Sequence, residues 1–256
     1  MQEKKTLKEH KEYLRETVKL SLWIIADYSN KHPEDEFINS IDKLTPMVNH
    51  TTFNPKMLYE NPTFEGDAWP QLKEALFNLY KKEPDPFLYQ DLAFKLIEPH
   101  IDGRAEKDLN NINKEIDIDQ NSWITYDLSR SETYLEIHME NTLYPNSFLK
   151  NDTYFYSKLK IAVLDAQKNG YKGLWTCSWL NDLPAWQNKM PKQWNESIHN
   201  RMYDIQWHLG FWGQFLTARL CFNYSAAAKF RETGVVEIPM SLARASIDDF
   251  KSFLKI

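Results

Sequence analysis

YLEIHMENTLYPNSFLKNDTYFYSKLKIAVLDAQKNGYKGLWTCSWLND, residues 134–182, decides the fold. Its first seven residues alternate. Tyr134, Glu136, His138 and Glu140 share one face, and Leu135, Ile137 and Met139 the other, the period of a strand. After a short polar loop the period lengthens. Asn151 or Asp152 suits a helix N-cap, Phe155, Leu159, Ala162, Val163 and Ala166 form one apolar stripe, and Gly170 suits the C-terminal end. The apolar run GLWTCS, 173–178, then reads as a second strand. Strand, helix, strand is one βαβ unit, and its two strands should lie parallel in one sheet. In open α/β sheets, ligands sit at the carboxyl ends of such strands. Here those ends carry His138, Glu140 and Asn141 on one side and Ser178, Asn181 and Asp182 on the other.

Working outward, WITYDL (123–128) and YLEIHM flank SRSE, which predicts an antiparallel hairpin. Before residue 119 the pattern is helical. Leu7, Leu14, Val18, Leu22 and Ile25 stripe a helix over 6–30, and Phe37, Ile38, Ile41 and Leu44 a short one over 34–44. Residues 45–68, with three prolines, read as an irregular loop in which His50 is a solvated surface residue. Helices are predicted over 70–82 and 86–98. The first carries Trp69, Leu72, Leu76 and Leu79, and the second carries Leu88, Leu92 and Leu96 until Pro99 stops it. The polar stretch 104–118 reads as an exposed helix passing into a linker. After the βαβ unit come short helices near 183–189 and 192–201, a strand at 203–209, a helical stretch over 211–233, a strand at 235–240 and a last helix over 247–254. The fold class is therefore α+β: a helical region, 1–118, packed on a mixed sheet with flanking helices, 119–256. The helical stripes are apolar on one side only, so that region should pack on the rest.

Composition narrows the function classes. A chain of 256 residues, 42% hydrophobic and 26% charged, is ordinary globular material. Net charge is −5 with no strongly basic segment, which argues against nucleic-acid binding. Two cysteines, Cys177 and Cys221, make no disulfide framework, and a reducing cytoplasm is the simpler setting. The start of the chain has no apolar stretch of the secretory kind, and LWIIA is far too short to span a membrane. Neither GxGxxG nor GxxxxGK[ST] occurs.

Several residue groups carry chemistry. Glu136, His138 and Glu140 on one strand face suit either a divalent metal or a general base with its orienting partner; the plainer reading is a solvated strand face. Cys177 or Ser178 near His138 suggests a nucleophile and base, against which a buried sheet cysteine is usually a small apolar residue. Seven of the nine tryptophans fall between 123 and 212. Trp175, Trp179, Trp207 and Trp212 suit the wall of an apolar cavity with His138 at its mouth and Asn141 and Asn181 in reach; the alternative is a large aromatic core.

The strand with Ile137-His138, the helix after it and the strand with Cys177-Ser178-Trp179-Leu180 resemble the core of GNAT-type acyltransferases. They look like the GNAT-like domain that follows a helical domain in some bacterial acyltransferase-like proteins. Residues from IHMEN to GFWGQF are also similar to uncharacterised bacterial and fungal proteins. The resemblance implies a small-molecule transferase. His138 would be the general base, Ser178 a second catalytic residue, and Glu140, Asn141, Trp179, Asn181, Asp182, Trp207 and Trp212 the substrate contacts. It also implies acyl-coenzyme A, held by a glycine-containing loop between strand and helix. Here that loop is NTLYPNSFLKND, without glycine, and Pro145 removes a donor. A coenzyme-A-independent cyclase or isomerase on the same scaffold, or a non-catalytic ligand-binding protein, are the alternatives. The sequence names neither the substrate nor the oligomeric state.

Overall fold

The structure, a computed structural model, describes residues 5–54, 66–112, 122–128, 133–143 and 145–256. The SRSE connection and most of the 45–68 and 104–118 segments' irregular parts lie outside these. The fold is α+β. Helices α1 (Leu7–Lys31), α2 (Phe37–Leu44), α3 (Ala68–Tyr80) and α4 (Pro86–Ile112) come first. Strands β1 (Ile124–Thr125), β2 (Leu135–Glu136) and β3 (His138–Met139) follow, then α5 (Asp152–Lys168) and β4 (Gly173–Ser178). The rest is α6 (Pro184–Gln187), α7 (Lys192–Glu196), β5 (His199–Met202), α8 (Leu209–Trp212), α9 (Tyr224–Thr233), β6 (Met240–Ser246) and α10 (Ile247–Leu254).

The βαβ unit is present. β2 and β4 pair in parallel, Leu135 with Leu174 and Glu136 with Trp175. α5 starts at an Asn151 cap that accepts the Tyr154 N–H, and all five residues of its stripe are buried. Gly170 takes φ +80° just beyond the helix, where a side chain would be strained. The strand expected over 134–140 is broken, however. Ile137 donates its N–H to Trp175 and accepts the Thr176 hydroxyl, after which the chain leaves β4. β3 pairs antiparallel with β1 instead, as the hairpin reading requires. The parallel strands thus meet at their amino ends and part at their carboxyl ends.

The four-stranded sheet runs β2-β4-β6-β5, with one parallel step and two antiparallel ones. One face is closed. Leu135, Leu174, Ala243 and Ala245 meet the α5 stripe and Ile247 and Phe250 of α10. Trp123, Trp186 and Trp194 are buried in the same cluster, and Trp123 stacks on Phe155 at 4.4 Å. Burying each such side chain is worth roughly 2 kcal/mol or more.

Four local readings are corrected. α4 does not stop at Pro99; it runs through it, because Ile101 and Ala105 beyond the proline are fully buried, like Ile97 before it, and outweigh one lost hydrogen bond. Its buried face is Tyr89, Ala93, Ile97 and Ile101, so Leu88, Leu92 and Leu96 point outward. His50 is buried, not solvated, in a short 3-10 turn over Met47–His50. Residues 192–201 and 211–233 are not continuous helices, since the strand β5 follows Glu196 and Asn223 caps a new helix start at α9. The last two strands lie at 199–202 and 240–246 rather than at 203–209 and 235–240. Pro239 cannot donate to a ladder, and the central strand β6 begins directly after it.

The helical region and the rest share a core. Leu20, Trp23 and Ile24 of α1 cluster with Phe211, Trp212, Phe215, Phe222 and Phe230. Among the described residues no helix is long and apolar enough to cross a membrane.

Candidate functional site

The other face of the four-stranded sheet is not covered by α5 and α10, and its residues follow from register. Residues directly opposite one another share a face, with side chains about 5 Å apart. Glu136 lies beside Trp175, and Trp175 beside Arg244. One step on, Cys177 lies beside Leu242, and Leu242 beside His199. Trp175, Cys177 and Leu242 are half-buried, and Arg244 and His199 exposed. Tyr134, the residue before β2, crosses Gly173 closely: a methyl group on Gly173 would lie 2.1 Å from Ala245 O and 2.6 Å from the tyrosine ring. Only glycine fits there, beside the Ala245 carbonyl and the Tyr134 ring. Together Thr133, Tyr134, Trp175, His199, Leu242, Ala243 and Arg244 line a trough of ≈ 420 Å³, a normal size for a small-molecule site.

Where the chain leaves β4 after Ile137, a group of titratable residues lies beside the trough. His138 continues the alternation from Glu136 and is exposed. His208, before α8, feels the charge of both Glu136 and His138. Burial lowers the His208 pKa first, with Glu136 opposing and His138 adding to the fall. Its Nδ1 accepts the Gly210 N–H at 2.9 Å, so in the neutral ring the proton sits on Nε2. His208 is therefore a neutral hydrogen-bond donor. Burial raises the Cys177 thiol, and the Glu136 charge raises it further, so it stays protonated and is a poor nucleophile. Among the described residues, no three of His, Cys, Asp and Glu are grouped to hold a metal ion, the Glu136, His138 and Glu140 face included.

The remaining residues named from sequence hold the fold around this face. Ser178 is buried, and its hydroxyl accepts the Leu180 N–H to cap a turn. Asn181 is fully buried; it donates to Ser241 O at 2.8 Å and to Thr176 O, and accepts Trp194 Nε1–H. Asp182 accepts from Arg201 Nε at 2.7 Å and from the Ser241 hydroxyl at 2.6 Å. The Asn141 amide donates to Asn146 O and Ala218 O and accepts the Phe148 N–H. Glu140 is exposed, with its main-chain N–H on Trp123 O. Of the four tryptophans expected around His138, Trp175 lines the trough. Trp179 lies against Gly213, Trp207 flanks the core shared with α1, and Trp212 is buried there with Nε1–H on Leu44 O. Sequence reading missed His208, His199, Arg244 and Tyr134. The only local signal was glycine: Gly173 under Tyr134, and Gly210, where a methyl would lie 2.9 Å from His208 Nδ1.

The loop between β3 and α5 bears on the coenzyme. Its N–H groups at Thr142, Asn146, Phe148, Leu149, Lys150 and Asn151 are all bonded within the loop. Pro145 has none to offer.

No protein-family model, curated protein or solved structure matches the chain.

Proposed function

We propose that this chain is a small-molecule enzyme on a GNAT-like scaffold, working where the parallel strands part. One observation carries the reading: β2 and β4 separate after Ile137, and Glu136, His138, Cys177 and His208 gather at that separation. In acyl transfer, an amine would attack the acyl carbonyl. The new C–N bond forms, the bond to the leaving group breaks, and His138 takes the amine proton while Glu136 supports the imidazolium. The Nε2–H of His208 would donate to the carbonyl oxygen as it gains charge. A neutral donor suits that position, because an imidazolium would give up its own proton there.

The source of the acyl group divides two readings. Among the described residues, six N–H groups of the loop after β3 are bonded within it, which leaves few to cradle a pyrophosphate. This favours the coenzyme-A-independent form, in which the substrate carries its own reactive carbonyl. Thermal melts with 1 mM coenzyme A and acetyl-coenzyme A separate them, since a ligand held only by the native state raises the melting temperature. A rise of several degrees restores the coenzyme; no shift retires it.

The His138→Ala variant tests the shared claim. His138 is exposed, so its removal should change the melting temperature by less than about 2 °C. Turnover should fall by about 10²–10⁴, read as amine acylation across an acyl-thioester and acyl-ester panel. A large loss of stability with activity kept in the folded fraction would make His138 structural.

A further inference from the structure

We infer that the trough beside these residues binds a planar aromatic carboxylate through Arg244, Tyr134, Trp175 and His199. The inference deepens the enzyme reading, since it names a substrate class for the same face.

Arg244 supplies the charge. Its guanidinium lies over the Tyr134 ring, 5.3 Å from the centroid. Among the described residues it has no carboxylate or carbonyl partner, although the protein has an excess of carboxylates. The main chain of Arg244 is fixed by the sheet and by its N–H on the Ser197 hydroxyl at 2.8 Å. A guanidinium stacked on an aromatic ring keeps its edge N–H groups directed sideways. That edge matches the two oxygens of a carboxylate.

The walls supply the shape. Tyr134 lies close against Gly173, and Trp175 stands in the next strand, beside Glu136 on one side and Arg244 on the other. Two aromatic side chains lining a trough of ≈ 420 Å³, one of them carrying the guanidinium, fit a ring better than a flexible chain.

His199 supplies the far end. Its Nδ1 lies 2.7 Å from Ser197 O, and a carbonyl can only accept, so Nδ1 carries the proton. Nε2 is then an acceptor at the trough wall, suited to a hydroxyl or amino group on the ligand. An aromatic acid bearing such a donor satisfies all three features.

The experiment is a titration of the full chain, followed by tryptophan fluorescence and calorimetry, with three probes. These are 4-hydroxybenzoate, its neutral amide, and acetate as an anion without a ring. Wild type should saturate with 4-hydroxybenzoate and bind the amide and acetate at least about tenfold more weakly, a difference of about 1.4 kcal/mol. Arg244→Gln should lose at least that factor for the acid alone, and Tyr134→Leu should weaken both ring compounds. Arg244 is exposed, so its variant should melt with wild type, which excludes misfolding as the cause. The inference is overturned if the amide binds as well as the acid. It also falls if Arg244→Gln binds like wild type, or if 4-hydroxybenzoate fails to saturate by about 10 mM. Binding needs no turnover, so the two readings fail separately. Tight, Arg244-dependent binding in a protein that acylates nothing retires the enzyme alone. Turnover dependent on His138 without binding of the acid retires this inference alone.

Discussion

Replacing Asp108 with asparagine is expected to cost roughly 3–5 kcal/mol, the usual result of leaving a buried charge without its partner. For a chain of this length that corresponds to a melting temperature lowered by about 10 °C. Asp108 ties the helical region together. Its Oδ1 accepts from Arg104 Nε at 2.6 Å, and its Oδ2 lies 3.1 Å from His10 Nε2. Arg104 is 1% exposed and also donates to the Thr51 and Asn54 carbonyls, so it joins α4 to the chain after Met47–His50. Burial tends to raise the Asp108 pKa, but the His10 hydrogen bond and the Arg104 charge more than offset it, and the carboxyl ends below its ordinary value. Among the described residues Arg104 Nη2 already lacks an acceptor, so a weaker partner at 108 leaves more of the guanidinium unsatisfied. Urea unfolding of Asp108→Asn beside wild type checks this. A cost under about 1 kcal/mol would mean that water reaches Arg104.

Stability should fall steeply as pH drops below about 6.5, because two histidines are buried in the same core without their protons. Burial, aided by the Arg104 charge, pushes His50 down to about 3. Burial also lowers His10, against the pull of Asp108. In the unfolded chain both titrate near 6.5. Below that value the unfolded state takes up protons that the native state refuses, so stability is full above pH 6.5 and is lost as pH falls towards 3. For His50 alone the slope approaches about 1.4 kcal/mol per pH unit. The lowered Asp108 pKa adds a separate loss below about pH 4, where the unfolded carboxyl binds a proton first. Unfolding free energies measured from pH 8 to pH 4, with His50→Gln as the comparison, test the sign. The variant should show a shallower fall. A flat wild-type profile, or one that rises on acidification, would contradict it.

What was legible in the sequence was what neighbouring residues decide. The α5 stripe, its Asn151 cap and the glycine after it are local, and all lie where their spacing puts them. The parallel pair was legible because a single helix of that length must cross over between parallel strands. Other features depended on distant partners. In α4, Leu88, Leu92 and Leu96 repeat with the same spacing as Tyr89, Ala93 and Ile97 one residue on, and only packing against α1 chooses between the two stripes. MSLARAS has little strand propensity, yet it forms one of the sheet's two inner strands because β4 and β5 flank it. The break at Ile137 was hidden for the same reason, since one strand's alternation continues through two different pairings. Arg244 joins Glu136 only through sheet register and His208 joins Glu136 and His138 only through tertiary packing, about 70–110 residues downstream. His50 looked like a loop histidine because the turn that buries it is held by Arg104, far along the chain.

The measurement that reaches the site most directly is a long-range proton–nitrogen NMR spectrum of the seven histidine rings, with and without 4-hydroxybenzoate. The nitrogen shifts report which ring atom carries the proton. His208 should be the Nε2–H form and His199 the Nδ1–H form. The acid should move His199, with smaller shifts at His138 and His208, while His10 and His50 in the helical core stay in place. Opposite tautomers at His199 and His208, with the ligand moving His10 or His50 instead, would contradict the assignment of this sheet face as the working site.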